Sequence, residues 1–85
     1  MMYYVYVLQS RKDKKFYVGW TENLKLRFEQ HQLGKTDSLK KRLPVDLIYY
    51  EASKDKRDAT HRERYLKTAH GKHFIKNRLK SYLTG

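Results

Sequence analysis

Residues 3–20 read Tyr-Tyr-Val-Tyr-Val-Leu-Gln-Ser-Arg-Lys-Asp-Lys-Lys-Phe-Tyr-Val-Gly-Trp. The run from Tyr3 to Gln9 is dominated by β-branched and aromatic residues, the composition of a strand buried on both faces. Residues 11–15 (RKDKK) form a polar turn, and Phe16 to Trp20 resumes strand character. The two runs make a hairpin whose loop is too long for a two-residue turn. Gly19 inside the second strand marks a bulge or a close approach of another backbone.

Outward from the hairpin, Thr21 is a candidate N-cap with Glu22 in the first helical turn, where a carboxylate complements the helix dipole. That helix is expected to run to about Leu33 and to stop at Gly34 as its C-cap. Residues 35–43 (KTDSLKKRL) carry four bases and one acid and read as a mobile polar loop. Pro44 opens a third strand, Val45 to Glu51, whose alternating Val45, Leu47 and Tyr49 suit a sheet with one dry face. Capping residues between Ser53 and Asp58 precede a helix of roughly Lys56 to Ala69 that ends near Gly71. A final helix covers about His73 to Leu83. The expected order is β-β-α-β-α-α, an α+β fold in which a small three-stranded antiparallel-type sheet is flanked by helices. Residues 1–85 read as one domain.

The chain carries 20 Lys and Arg against 9 Asp and Glu, a net charge of +11. The charge is uneven. Residues 54–80 hold ten bases and three acids, so the C-terminal helices are expected to present the strongest anion-attracting surface. No cysteine is present, which excludes a disulfide framework, a thiolate zinc site and a cysteine nucleophile. His61, His70 and His73 match no zinc spacing. No apolar run approaches the length of a membrane span, and the opening MMYYVYVLQS lacks the basic n-region and cleavage site of a secretory signal. These features point to a soluble, cytoplasmic protein with a polyanionic partner.

Three polar residues fall where apolar ones belong. At 100° per residue, with Leu24 at zero, Phe28 lies at about +40°, His31 at about −20° and Arg27 at about −60°. Arg27 and His31 thus sit one turn apart beside the stripe that should face the sheet. An Arg snorkelling at the core edge beside a hydrogen-bonded His would satisfy that pattern. In the following helix, with Ala59 at zero, Leu66 lies at about −20°, His70 at about +20° and Glu63 at about +40°. A carboxylate held against a core needs a cation, a metal or a proton. A neighbouring base could supply the cation, yet a carboxylate in a basic field is also what a divalent metal acting on a phosphodiester requires. Tyr6 and Tyr17 are compatible with ordinary strand aromatics.

The ordered motifs resemble the GIY-YIG nuclease domain, in its small bacterial stand-alone form. Tyr4-Val5-Tyr6 and Tyr17-Val18-Gly19 stand for the two name motifs. Asn23-Leu24-Lys25-Leu26-Arg27, then His31, resembles the helix signature. Residues 42–51 (RLPVDLIYYE) resemble the third-strand segment, and residues 59–67 (ATHRERYLK) the Ala-x-x-x-Glu helix. Tyr4 replaces the Gly of the first motif, Val replaces Ile in both, and Trp20 is bulkier than the usual residue.

The resemblance implies a metal-dependent endonuclease that hydrolyses phosphodiester bonds in DNA, with structure-directed cutting in repair or recombination. Tyr6 and Tyr17 would line the site, one of them assisting deprotonation of the attacking water. Arg27 would stabilise the charge on the phosphate with His31 beside it. Glu63 would ligate a single Mg²⁺ or Mn²⁺, and Asn77 stands near the family's phosphate-contacting Asn. No small-molecule cofactor is implied. Lys40, Lys41 and Arg42 of the loop, and Arg62, Lys67 and Lys72 of the C-terminal helices, are the candidate backbone contacts, the loop acting as a clamp. A different class of reading is a non-catalytic nucleic-acid-binding module that keeps the fold. Another is a subunit that lends its basic face to a larger assembly.

Overall fold

A computed structural model describes residues 1–85. The hairpin forms as expected: strand β1 (Tyr3–Ser10) pairs antiparallel with β2 (Phe16–Thr21). Helix α1 (Leu24–Gln32) follows, then β3 (Val45–Ser53), which pairs antiparallel with the other side of β1. Helices α2 (Lys56–Leu66), α3 (Ala69–Arg78) and α4 (Lys80–Thr84) complete the chain. The sheet order is β2-β1-β3, so the most apolar strand lies in the centre and β2 forms an edge.

The central position of β1 explains why it lacks a polar face. Val5 and Val7 point to one side, where Ala59, Leu66 and Ile75 of α2 and α3 complete a buried cluster. Tyr6 and Leu8 point to the other, where they meet Leu39 and Val45 with Leu24 and Phe28 of α1 packed around them. Each fully buried aliphatic side chain contributes about 1.5–3 kcal/mol, so a strand that feeds two cores organises most of a small protein's hydrophobic stabilisation.

Several sequence expectations need correction. The register of β1 with β3 shifts between Val7 and Leu8: Val7 pairs with Tyr49 but Leu8 with Leu47. The extra residue, Ile48, is a bulge that breaks the period of two. Val45 and Leu47 therefore face the α1 side, whereas Ile48 and Tyr49 pack on the α2–α3 side. The N-cap of α1 is Asn23, whose side chain accepts from Leu26 N–H at 3.1 Å. Thr21 instead accepts from Asn23 N–H at 3.1 Å, one step before the helix. Gly34, at φ +73°, does follow the helix end.

The helix expected to reach Ala69 stops at Leu66. Thr68 is extended and its hydroxyl accepts from Gly71 N–H at 3.1 Å, so it caps a new helix. Gly71 is thus a buried residue of the first turn of α3 and not a C-cap. A Cβ there would collide with the backbone of Tyr65 and Leu66, so the glycine permits the close approach of α3 to α2. The break also carries His70 off the inward face of α2 and leaves it exposed.

The 35–43 segment is tied to the core. It forms successive turns, with Leu39 N–H donating to Thr36 O at 3.1 Å and Arg42 N–H to Leu39 O at 2.9 Å. The Leu39 side chain is 2% exposed, packed in the cluster with Tyr6 and Leu8. One leucine in a polar stretch carries no periodicity, which is why composition reads this segment as free. Leu39→Ala should lower the unfolding free energy in a urea titration by about 2–5 kcal/mol, since the deleted methyls leave a cavity. The same change at exposed Leu33 should cost less than about 0.5 kcal/mol. Equal effects at the two positions would show that the turn is not anchored.

Candidate active site

A cleft of about 580 Å³ borders the edge strand β2 and takes side chains from both of its faces. Tyr6, Leu8, Tyr17 and Gly19 come from the α1 side of the sheet, with Arg27 and His31 of α1 itself. Phe16, Val18 and Trp20 come from the other side, with Glu63, Leu66 and Lys67 of α2 and Lys72 of α3. Thr36, Ser38 and Leu39 of the anchored turn close one wall.

Gly19 is where the two faces meet. It pairs with Tyr6 across the hairpin, and a Cβ at position 19 would stand 2.6 Å from Tyr6 Cζ. The close approach expected at this glycine is real, but the approaching group is a phenol ring and not another backbone. Laid over the bare position, Tyr6 brings its Oη to 2.8 Å from His31 Nε2. His31 is 3% exposed, and its Nδ1 is buried without a partner. Burial, with the charge of Arg27 adding to it, pushes the imidazole below its ordinary value of 6.5. Arg27 is half-buried, with one long hydrogen bond, 3.4 Å, to Gln30 Oε1. Its remaining donors are free for an anion in the cleft.

Glu63 is the one carboxylate lining the cleft, and its side chain is 18% exposed. Lys67, one turn on, lies 3.3 Å from Glu63 Oε2. No group of three or more His, Cys, Asp or Glu is placed to hold a metal. The donor set nevertheless fits a hard divalent ion of the Mg²⁺ type. Such ions keep most of their waters and are held by one or two carboxylates together with substrate phosphate.

The cleft therefore brings together Tyr6, Tyr17, Arg27, His31, Glu63, Lys67 and Lys72. It does not include Asn77, which is exposed on α3, because Phe74, Ile75 and Leu79 of that stretch turn inward. Lys40 and Lys41 are exposed on the turn outside the cleft lining. Arg62 also lies outside it, paired with Glu51 through both carboxylate oxygens at 2.9–3.1 Å and stacked 4.5 Å from the Phe74 ring. Arg42 reaches Tyr17 from behind, its Nε donating to Tyr17 Oη at 3.1 Å. Sequence reasoning did not single out Thr36, Ser38 or Leu39. Their contributions come from the turn geometry, for which a polar loop sequence offers no signal.

Residues 2–80 match the family model described as the GIY-YIG catalytic domain. A UPF0213 protein of Clostridium perfringens is 43% identical over 67 residues, covering 78% of this chain and 71% of the relative. A UPF0213 protein of Limosilactobacillus reuteri is 46% identical over 68 residues, covering 76% and 70%. Among solved structures, the solution NMR structure of the UPF0213 protein BH0048 from Bacillus halodurans superposes with a TM-score of 0.56. It is 28% identical, with 88% of this chain and 82% of that one covered.

The depressed His31 value makes stability pH-dependent. The folded chain binds this proton less readily than the unfolded one, so the contribution is whole above about pH 6.5 and is lost as pH falls through the folded value. The urea midpoint should drop between pH 7 and pH 5, above the range in which the depressed carboxyls Asp13, Asp46 and Asp55 titrate. The other three histidines are exposed, so His31→Gln should flatten that drop. A wild-type midpoint that is level over this interval would refute the assignment.

Proposed function

The chain belongs to the GIY-YIG catalytic-domain family, and from that premise we propose that it is a divalent-metal-dependent endonuclease hydrolysing phosphodiester bonds in DNA. The observation that carries the proposal is the convergence of Tyr6, Tyr17, Arg27, His31 and Glu63, from four separate elements, on one cleft. Residues 1–85 act as one catalytic unit. The basic surface contacts backbone phosphates and does not read bases, so cutting is directed by DNA structure, as repair and recombination intermediates present it.

Arg27 binds the scissile phosphate. A guanidinium offers fixed donors to two phosphoryl oxygens and offsets the charge that grows on them as the bond to the leaving oxygen lengthens. Tyr6 handles the proton. In the neutral His31 tautomer protonated at Nδ1, the Tyr6 hydroxyl donates to Nε2, which leaves the phenol lone pairs open to the cleft, where they accept a hydrogen bond from the attacking water. As the water is deprotonated, the Tyr6 proton moves to Nε2 and the phenol oxygen takes the proton from water. The resulting imidazolium is disfavoured by burial and by Arg27, so once Tyr6 has released the water's proton to solvent in the cleft, Nε2 gives the original proton back to the phenol oxygen. Lys67 and Lys72 hold the flanking backbone. Glu63 would hold a single Mg²⁺ or Mn²⁺, which supplies Lewis-acid polarisation of a phosphoryl oxygen when bound.

Purified protein should cut branched or single-stranded DNA when Mg²⁺ or Mn²⁺ is added and not with chelator present. Glu63→Gln should reduce the cleavage rate by at least about a hundredfold while DNA binding stays within about threefold. Binding should weaken steeply with salt, as expected for phosphate contacts. Full activity in Glu63→Gln would overturn the assignment of that carboxylate. Salt-sensitive binding without cleavage on any substrate or metal would identify a binding module instead.

A further inference from the structure

Tyr6 and Tyr17 occupy the same cleft but have different partners. Behind Tyr17, away from the cleft, Arg42 Nε donates to Tyr17 Oη at 3.1 Å and lies 2.9 Å from Asp13 Oδ2. Each member of this group is pinned by the backbone. Asp13 Oδ1 accepts from Lys15 N–H at 2.9 Å in the hairpin turn. The Arg42 carbonyl accepts from Ser10 Oγ at 2.6 Å, and Ser10 is fully buried. Arg11 N–H donates to Pro44 O at 2.9 Å just beyond. The end of the 35–43 segment is therefore locked to the hairpin at the point where Arg42 meets Tyr17.

We propose that Arg42, anchored by Asp13, is a positioning residue for the Tyr17 hydroxyl and not a contact to substrate phosphate. The proposal rests on the reading of the cleft as a nuclease site. Arg42 is absent from the cleft lining, and its Nε already faces a carboxylate and a phenol oxygen. A phenol oxygen has one proton to give and lone pairs to accept with. A guanidinium donates only and keeps its charge at all working pH values. Occupied by Arg42 on one lone pair, Tyr17 Oη is fixed in place with its own proton free to point into the cleft, toward a water or a phosphoryl oxygen. The two tyrosines thereby differ in what fixes them: Tyr6 sits beside an imidazole, and Tyr17 presents a donor held by a guanidinium. Asp13, whose Oδ2 is buried without a hydrogen bond, draws the guanidinium by charge and so opposes its turning to solvent or to a bound phosphate.

The test joins kinetics, salt dependence and NMR. In single-turnover cleavage at saturating DNA, Arg42→Ala should slow the reaction about tenfold or more, the scale of a misplaced catalytic group. In a Tyr17→Phe background the same change should add no further loss. The slope of log binding constant against log salt should be unchanged in Arg42→Ala, whereas losing a true phosphate contact reduces it by about one. If Arg42→Ala fails to fold, Asp13→Asn frees the guanidinium and should reproduce the rate loss that depends on Tyr17. A reduced salt slope, with equal slowing in the presence and absence of the Tyr17 hydroxyl, would overturn the proposal and make Arg42 a phosphate contact. If wild-type protein cuts nothing, the nuclease reading fails, and the Arg42 assignment is then decided by ¹⁵N spectra. The Arg42 Nε–H resonance should shift in Tyr17→Phe, where only the Asp13 carboxylate remains beside it. An Nε–H that does not respond to that substitution refutes the contact itself.

Discussion

The phenol ring of Tyr6 lies across a position that has no side chain, and the site is built around that overlap. Were position 19 any other residue, its Cβ would occupy the volume of the Tyr6 ring. The hydroxyl would then lose its place beside His31, whose burial leaves few alternatives for a polar atom. The same bare position thins the edge strand at the point where residues of both sheet faces reach one cleft. Sheets normally keep their two faces chemically separate, because side chains alternate and the backbone lies between them. Here an edge strand with a glycine lets Arg27 and His31 of one layer act in the same space as Glu63 of the other.

The two hydrophobic cores position these layers independently. Helix α1 is held through Leu24 and Phe28 against the Tyr6–Leu8 face. Helices α2 and α3 are held through Ala59, Leu66 and Ile75 against the Val5–Val7 face. On that second face Glu51 adds a polar clamp, accepting from Arg62 and from Tyr49 Oη at 2.9 Å, with Arg62 stacked on Phe74. This clamp holds α2 to β3 and keeps one of the C-terminal bases out of reach of a polyanion. Of the bases available in sequence, only some are thus free to meet phosphate. Arg11, Arg57 and Arg62 face carboxylates, and Arg42 is drawn to Asp13 and Tyr17. Lys72 lines the cleft without an ion pair, and Lys40 and Lys41 stand exposed nearby.

Much of the fold was legible because its signals are local. The β1–β2 hairpin, the end of α1 near Gly34 and the start of β3 after Pro44 follow from composition, turn residues and period. Arg27, His31 and Glu63 were visible as polar residues on apolar stripes, and a resemblance in motif order supplied roles that geometry alone would not suggest. What escaped was decided by contacts distant in sequence. The bulge at Ile48 arises where one strand must match both cores and β1, and nothing in Val45–Tyr49 announces it. The break at Thr68 looks in sequence like a continuing helix, because the cap bond to Gly71 competes with helical propensity only once α3 has a surface to pack on. Leu39 is a single apolar residue in a basic loop, and Asn77 a helix residue whose reach depends on which way α3 turns.

By itself, the sequence determined the element types, the identity of the central strand and the excess of positive charge, since each depends on residue composition over a few neighbouring positions. It also placed three polar groups where solvation would not leave them. The tertiary structure alone decided which of those groups share a cavity. It further decided which arginines are already partnered, and that Tyr6 sits by an imidazole while Tyr17 sits by a guanidinium. The physical reason is range. Periodicity and propensity act within a turn or a strand, whereas a hydrogen bond such as Tyr6 to His31 spans 25 residues of chain and exists only after both cores have closed.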